Sequence, residues 1–234
     1  MAYHVEYAED RPLAQESMWA LVVNDKPWVT LLCTPEKLDY LALGFLAGEG
    51  LISSLEDVAT LEISDGVAGA GNAIMVGLCD GNKQLPSQRV VTSGCSGGVT
   101  FDLGEKLHPL NSHQVITPQQ IYKLMQAMQR GTVEYRRTRG LHSAALANQE
   151  SVLALAEDIG RHNALDKIWG ECLAREIKTR NRLLLTSGRI SSEMLRKAIK
   201  MRTPIVVSRT APTDLSVQVA RRLNVTIIGY VRGK

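Results

Sequence analysis

Val152-Leu153-Ala154-Leu155-Ala156-Glu157-Asp158-Ile159-Gly160-Arg161-His162-Asn163 runs from small and branched apolar residues into two acids, a glycine and a polar triplet. Residues 152–156 read as a strand, Gly160 as the turn that leaves it, and residues 163–176 as a helix burying Leu165, Ile168 and Cys172. The pattern then recurs. Residues 182–186, 205–208 and 225–230 read as strands, with helices over 191–201 and 213–223 between them. Met194, Leu195, Ala198 and Ile199 form the inward stripe of the first of these helices. Strands alternating with helices need right-handed crossovers, so this half is predicted to be α/β, with a largely parallel sheet covered on both faces.

Ligands of such sheets sit beyond the carboxyl ends of the strands. The segments leaving those ends are Glu157 to Asn163, Ser187-Gly188-Arg189, Arg209-Thr210-Ala211-Pro212-Thr213 and Tyr230-Val231-Arg232-Gly233-Lys234. Each joins small or flexible residues to an arginine or lysine, and helix amino termini beside guanidinium groups make a phosphate-binding edge. A single segment of this kind is an ordinary turn. The same chemistry on every loop of one edge points to an anionic ligand. His142 and His162 read first as structural histidines, hydrogen-bonded to Asp158 or to a backbone carbonyl.

Charge agrees with that edge. The chain of 234 residues carries a net +3, but residues 1–150 hold 11 basic and 17 acidic side chains, whereas residues 151–234 hold 16 and 7. A basic half facing an acidic half suits an anionic ligand. Nucleic acid fits less well, because the basic residues are scattered and few aromatics interleave with them.

Towards the amino terminus, residues 19–23 and 28–33 read as strands joined by the turn Asn24-Asp25-Lys26-Pro27. Thr34-Pro35 predicts the cap and first turn of a helix that buries Leu38, Leu41, Ala42 and Phe45 until Gly48 and Gly50 stop it. Short strands follow over 58–64, 73–79 and 89–92, and residues 101–115 read as a solvated loop. Thr117-Pro118-Gln119-Gln120 is a capping box opening a helix buried through Ile121, Leu124, Met125 and Met128, with Gly131 as its stop. The basic cluster Arg136, Arg137, Arg139 then precedes Gly140-Leu141-His142-Ser143-Ala144-Ala145-Leu146.

Val90-Val91-Thr92-Ser93-Gly94-Cys95-Ser96-Gly97-Gly98 is a strand end opening into a glycine-rich loop around one sulfur. Backbone N–H groups folded around a thiolate would lower its pKa and make it a nucleophile. The alternative is a loop cysteine acting as a small hydrophobe. Cys33, Cys79, Cys95 and Cys172 show no C-x-x-C spacing, which argues against a zinc knuckle or a disulfide framework. Without H-E-x-x-H or P-C-x-x-C a metal site, zinc included, has little support. The apolar run from Leu41 to Gly48 is too short to span a bilayer, and residues 1–10 carry three acids and no apolar run. No membrane association and no secretory leader are expected, and the predicted location is cytoplasmic.

Read together, these segments resemble the formate dehydrogenase accessory sulfurtransferases, the FdhD family. The matching stretches are Leu41-Ala42-Leu43-Gly44-Phe45-Leu46 with Glu49-Gly50-Leu51-Ile52, Thr92-Ser93-Gly94-Cys95, Gly140-Leu141-His142-Ser143-Ala144-Ala145, Glu157 to Ala164, Ser187-Gly188-Arg189 with Ser191-Ser192-Glu193, and Ala211-Pro212-Thr213. They run in order over nearly the whole chain. The resemblance implies a cytidine-deaminase-like, three-layer α/β core over residues 116–234 and an added N-terminal α+β subdomain over 1–115 that carries the Cys95 loop.

It further implies a sulfurtransferase. Sulfur from a cysteine desulfurase would pass, as a persulfide on Cys95, to the bis(molybdopterin guanine dinucleotide) molybdenum cofactor of formate dehydrogenase. Tyr230, Val231, Arg232, Gly233 and Lys234 match the family's cofactor-binding stretch. Asp158, Arg161, His162, Ser187, Arg189, Arg209 and Thr210 complete the expected cofactor edge, with GDP binding there as a fragment, and a homodimer is the implied assembly. Gly98 stands where some members carry a second cysteine, so a two-cysteine relay is not expected. A non-covalent cofactor-binding chaperone for the same enzyme is the alternative. Nucleobase deamination is disfavoured, because His142-Ser143-Ala144 lacks the glutamate that would serve as general acid and base.

Overall fold

Asn24 and Asp25 both adopt left-handed backbone, with φ of 48° and 61°. Two such residues in succession make a tight hairpin whose twist matches its strands. They join β1 (Ser17–Val23) to β2 (Lys26–Cys33), so the turn is two residues shorter than its sequence suggested, and Pro27 lies within β2 opposite Val22. The computed structural model describes residues 12–66, 71–86, 89–91, 99–101 and 107–232.

β1 also pairs in parallel with β4 (Ala73–Leu78), which is antiparallel to β3 (Val58–Ser64), giving a sheet in the order β2-β1-β4-β3. Trp19, Leu21 and Val23 of β1 and Ile74, Val76 and Leu78 of β4 are buried and share a hydrophobic cluster with α1 (Leu38–Gly48). That helix starts later than Thr34-Pro35 led one to expect. Its N-cap is Lys37, in left-handed backbone at φ 52°, while the Thr34 hydroxyl accepts a hydrogen bond from the Ile159 N–H at 3.2 Å. A long-range bond outcompeted the local cap. β5 (Arg89–Val91) and β6 (Val99–Phe101) form a separate antiparallel ribbon, and the loop expected between them lies outside the described residues.

α2 (Pro118–Gly131) carries the expected capping box, with the Gln120 N–H donating to the Thr117 hydroxyl at 3.3 Å and the Thr117 N–H to the Gln120 side chain at 2.9 Å. Two elements then appear that the pattern did not announce, α3 (Val133–Thr138) and β7 (His142–Ala147). β8 (Val152–Asp158), α4 (Arg161–Ala174), β9 (Leu183–Thr186), α5 (Ser192–Lys200), β10 (Ile205–Ser208), α6 (Asp214–Leu223) and β11 (Thr226–Ile228) follow close to their predicted bounds.

The second sheet has the order β11-β10-β9-β7-β8. β9, β10 and β11 are parallel, and β7 runs antiparallel to both of its neighbours, so β8 points the same way as the other three. The sheet is thus mixed, with one reversed strand in its interior. β7 escaped notice because residues 143–147 are buried on both faces and so show no alternation. Ala144, Leu146, Leu184 and Val206 face the cluster that contains α4, α5 and α6, whereas Ala145, Leu183, Leu185 and Val207 face α2. The result is three layers, helix on sheet on helix.

The sequence places a division near residue 115, between the two sheets, and one buried cluster joins both parts from Trp19 through α1 and α4 to Val225. α1 and α4 meet backbone to backbone. A Cβ on Gly44 would lie 1.8 Å from the Asp166 carbonyl oxygen, and one on Gly170 would lie 1.9 Å from that of Tyr40. Only glycine permits so close an approach. Beside this contact the Lys197 ammonium is buried against the Asp166 carboxylate at 2.6 Å. Burial works against that charge, but Asp166, with Glu193 and Glu49 nearby, outweighs it and raises the Lys197 pKa.

Candidate functional site

The carboxyl ends of β8 to β11 and the amino end of β7 come together along one edge of the sheet, and the Glu157–Asn163 segment leaves β8 there. Glu157 reaches out of β8 to cap α3, accepting from the Val133 N–H at 2.8 Å, the Glu134 N–H at 3.1 Å and the Tyr135 N–H at 2.7 Å. A carboxylate at orphan N–H groups stabilises so short a helix. It also brings Tyr135, Arg136 and Arg139 to the edge.

Asp158 is wholly buried, and the protein itself occupies its carboxylate. One oxygen accepts from the Thr34 N–H at 3.1 Å and pairs with Lys167 Nζ at 2.6 Å. The other accepts from the Gly160 N–H at 2.8 Å and Asn163 Nδ2 at 2.9 Å. Asp158 is therefore a strut beneath the edge rather than the ligand contact expected of it. Lys167 completes the strut by donating to the Thr34 carbonyl at 2.9 Å.

Arg161 and His162 open α4, whose N-cap Gly160 offers no side-chain cap. Both are more than nine-tenths buried, at 7% and 9% exposure, yet Arg161 Nε and both His162 ring nitrogens lack a hydrogen-bond partner among the described residues. The expected bond from His162 to Asp158 is absent, since the strut leaves no free lone pair there. Glu193 Oε2 approaches His162 Nε2 only to 3.4 Å. Burial, helped by the charges of Lys197 and Arg161, pushes the His162 pKa down to about 2, so the ring is neutral and this contact is no ion pair. His142 is lowered likewise, by burial and by Arg161 and Arg189.

A histidine held neutral in the native state but free to protonate when unfolded weakens the fold as pH falls below its ordinary 6.5. Above that pH neither state binds the proton and the effect vanishes. As pH falls from 6.5 to 5, the loss through His162 is expected to steepen toward about 1.4 kcal/mol per pH unit. Urea unfolding of wild type and His162→Gln across that range checks this, and equal slopes for the two proteins would refute it.

At this edge lies a cavity of about 790 Å³, with Arg136, Arg139, Arg209 and Arg232 on its walls and no carboxylate; Asp158, Arg161 and His162 do not line it. Tyr135, His142, Ser143, Ser187 and Thr210 also line it. The loops are pinned by short bonds. The Ser187 N–H donates to the Ser143 carbonyl and the Ser143 N–H to the Ser187 hydroxyl, both at 2.9 Å, which leaves the Ser187 O–H proton for another acceptor. The Ser208 hydroxyl donates to the Gly188 carbonyl at 2.6 Å and accepts from the Thr210 N–H at 3.0 Å. Arg232 Nε points to the Arg209 carbonyl at 3.4 Å, and the Arg139 guanidinium sits 5.5 Å from the centre of the Tyr135 ring.

The structure thus brings together Ser187, Arg209, Thr210 and Arg232 of the residues expected from sequence. Arg189 is exposed and does not line the cavity. Val231 is buried in the apolar cluster against α2 and serves as an anchor, its N–H bound to the Ser208 carbonyl at 2.9 Å. Tyr230 is 65% exposed, in left-handed backbone at φ 58°, with its N–H on the Thr210 carbonyl. Arg136, Arg139 and Tyr135 were missed as site residues. Their signal was the basic cluster directly before Gly140-Leu141-His142-Ser143, while Arg137 in the same cluster pairs with Glu134 at 3.4 Å.

Cys95, Gly233 and Lys234 lie outside the described residues. Cys33 and Cys172 are buried, and burial pushes both thiols up to about 12, so neither supplies a thiolate near neutral pH. Cys79 is exposed and its thiol donates to the Glu56 carbonyl at 3.2 Å. Among the described residues no cluster of three or more His, Cys, Asp or Glu side chains could hold a metal ion. Nor is any helix there long and apolar enough to cross a membrane.

Residues 14–234 match the FdhD/NarQ family. The sulfur carrier protein FdhD of Bacillus subtilis (strain 168) is 38% identical over 231 residues, which cover 97% of this chain and 87% of that protein. The protein of the same name from Staphylococcus haemolyticus (strain JCSC1435) is 36% identical over 213 residues, covering 90% of this chain and 80% of its relative. Among solved structures, a proposed formate dehydrogenase accessory protein from Desulfotalea psychrophila superposes with a TM-score of 0.74 at 24% identity, over 94% of this chain and 84% of that one. The fold is shared with that protein, the sequence with the two carriers, and the chain belongs to the FdhD/NarQ family.

Proposed function

We propose that this protein is a sulfur carrier in the maturation of formate dehydrogenase, and that the arginine-walled cavity receives the phosphates of that enzyme's guanine-dinucleotide molybdenum cofactor. The observation that carries the proposal is the cavity itself, with Arg136, Arg139, Arg209 and Arg232 and no carboxylate on its walls. Guanidinium groups in a partly enclosed space bind phosphate in paired hydrogen bonds. The names of the two relatives support the carrier role, and that of the structural neighbour supports the client.

In this reading the cofactor is cargo. The Cys95 thiolate attacks the outer sulfur of a persulfide on a cysteine desulfurase. The donor's sulfur–sulfur bond breaks, the donor cysteine leaves as thiolate, and the new persulfide on Cys95 carries the sulfur to the cofactor. The inertness of Cys33 and Cys172 supports Cys95 in that role. The sheet order, with one reversed strand beside four that run together, supports a cytidine-deaminase-like core put to a different use. The reading places the protein in the cytoplasm as a homodimer.

GDP, as a fragment of the cofactor, is expected to bind the cavity and raise the melting temperature. Arg209→Ala and Arg136→Ala should each weaken it by about tenfold, equivalent to about 1.4 kcal/mol and at the low end for a charged hydrogen-bond pair. Arg189→Ala, outside the cavity, should change affinity far less. Titration calorimetry measures all four proteins, and equal affinities would remove this edge as the binding site.

A further inference from the structure

A second cavity, of about 830 Å³, opens at the opposite end of the same sheet, where residues 177–182 enter β9 and residues 201–204 enter β10. Its buried wall is apolar and includes Trp169 and Ile199. Around it stand Lys83, Lys178, Arg180, Lys200 and Arg202, of which Lys178, Arg180 and Arg202 are exposed and without an acidic partner among the described residues. Its single acid, Asp57, is already bound by the Ser53 N–H at 2.6 Å, the Ser53 hydroxyl at 2.9 Å and the Ser54 N–H at 3.1 Å. Neither the sulfur chemistry nor the cofactor edge uses any of these groups.

The ends of the surrounding helices narrow the choice of ligand. α1, α4 and α5 all present their carboxyl ends here, through Ala47, Leu173 and Ile199. Those ends carry partial negative charge, and Lys200 Nζ already serves one of them at the Gly48 carbonyl, 2.8 Å away. A bare phosphate drawn inside would meet that charge. A peptide whose leucine-like side chains enter the apolar wall while its carboxylates stay at the exposed rim meets none of it. We propose that this groove docks an acidic, partly apolar peptide segment of a partner protein, at the end of the sheet remote from the cofactor edge.

The probe is a short fluorescein-labelled peptide of glutamates interspersed with leucines, followed by anisotropy on the whole chain. It is expected to bind, and Lys178→Glu/Arg180→Glu/Arg202→Glu to weaken it by about tenfold or more, since exposed like charges then face it. These side chains are at the surface, so an unchanged melting temperature will confirm that the variant folds. Arg209→Glu/Arg232→Glu, at the other end, should leave the affinity as it was. Hydrogen exchange should show protection confined to residues 107–112, 177–181 and 199–202. Undiminished binding by the triple variant overturns the proposal, as does equal binding of a peptide with serines for the leucines, or displacement by an oligonucleotide. A change in sedimentation of the triple variant would instead assign the groove to a second copy of the chain, and would overturn it too.

Discussion

Cys95→Ser is expected to abolish persulfide loading and, with it, activation of the client enzyme. After incubation with a cysteine desulfurase and free cysteine, intact-protein mass spectrometry should show the gain of one sulfur atom on wild type and none on the variant. No other cysteine is placed to substitute. The Cys33 and Cys172 thiols are held near 12 by burial, so at neutral pH far too little thiolate forms to attack a donor persulfide. Cys79 is exposed but lies outside the glycine-rich loop. Serine at Cys33 or Cys172 should instead cost stability, because a hydroxyl would be buried among apolar neighbours. A Cys95→Ser protein that still activated its client would displace covalent transfer in favour of a chaperone that only binds the cofactor.

Lys167→Met should be the most destabilising single change outside the glycines. Lys167 and Asp158 are both inaccessible to solvent and 2.6 Å apart, so deleting one charge strands the other where water cannot reach it. Removing one member of a buried pair costs about 3–5 kcal/mol. The same change releases the Thr34 carbonyl, and with it the segment that enters α1. Chemical denaturation of wild type and variant measures the loss. A loss of less than about 1 kcal/mol would place this pair with ordinary surface ion pairs.

The α/β half was legible because its helices bury one stripe and its strands are bounded by turns, as residues 191–208 illustrate. β7 was not, since five small or apolar residues in a row, Ser143 to Ala147, are all buried and carry no period. α3 was not either, because the carboxylate that caps it belongs to Glu157, more than twenty positions away in the chain. The arginine-walled edge was half legible. Sequence placed arginines at strand ends, but whether such a side chain enters a cavity depends on its loop's bonds, and that separates Arg209 from Arg189. Asp158 misled for a related reason, as the residues that enclose it, Thr34 and Lys167, lie on other elements.

The backbone contact between α1 and α4 bears on how the molecule moves. Helices that slide over one another do so by letting interleaved side chains change partners. At Gly44 and Gly170 there is no side-chain layer to rearrange, because carbonyl groups of one helix rest against the bare backbone of the other. So tight a contact resists shear along that seam and holds α1 and α4 together. Under the proposed function, a cargo at the carboxyl edge of the five-stranded sheet would be presented beside this seam, and the client enzyme would meet a fixed geometry.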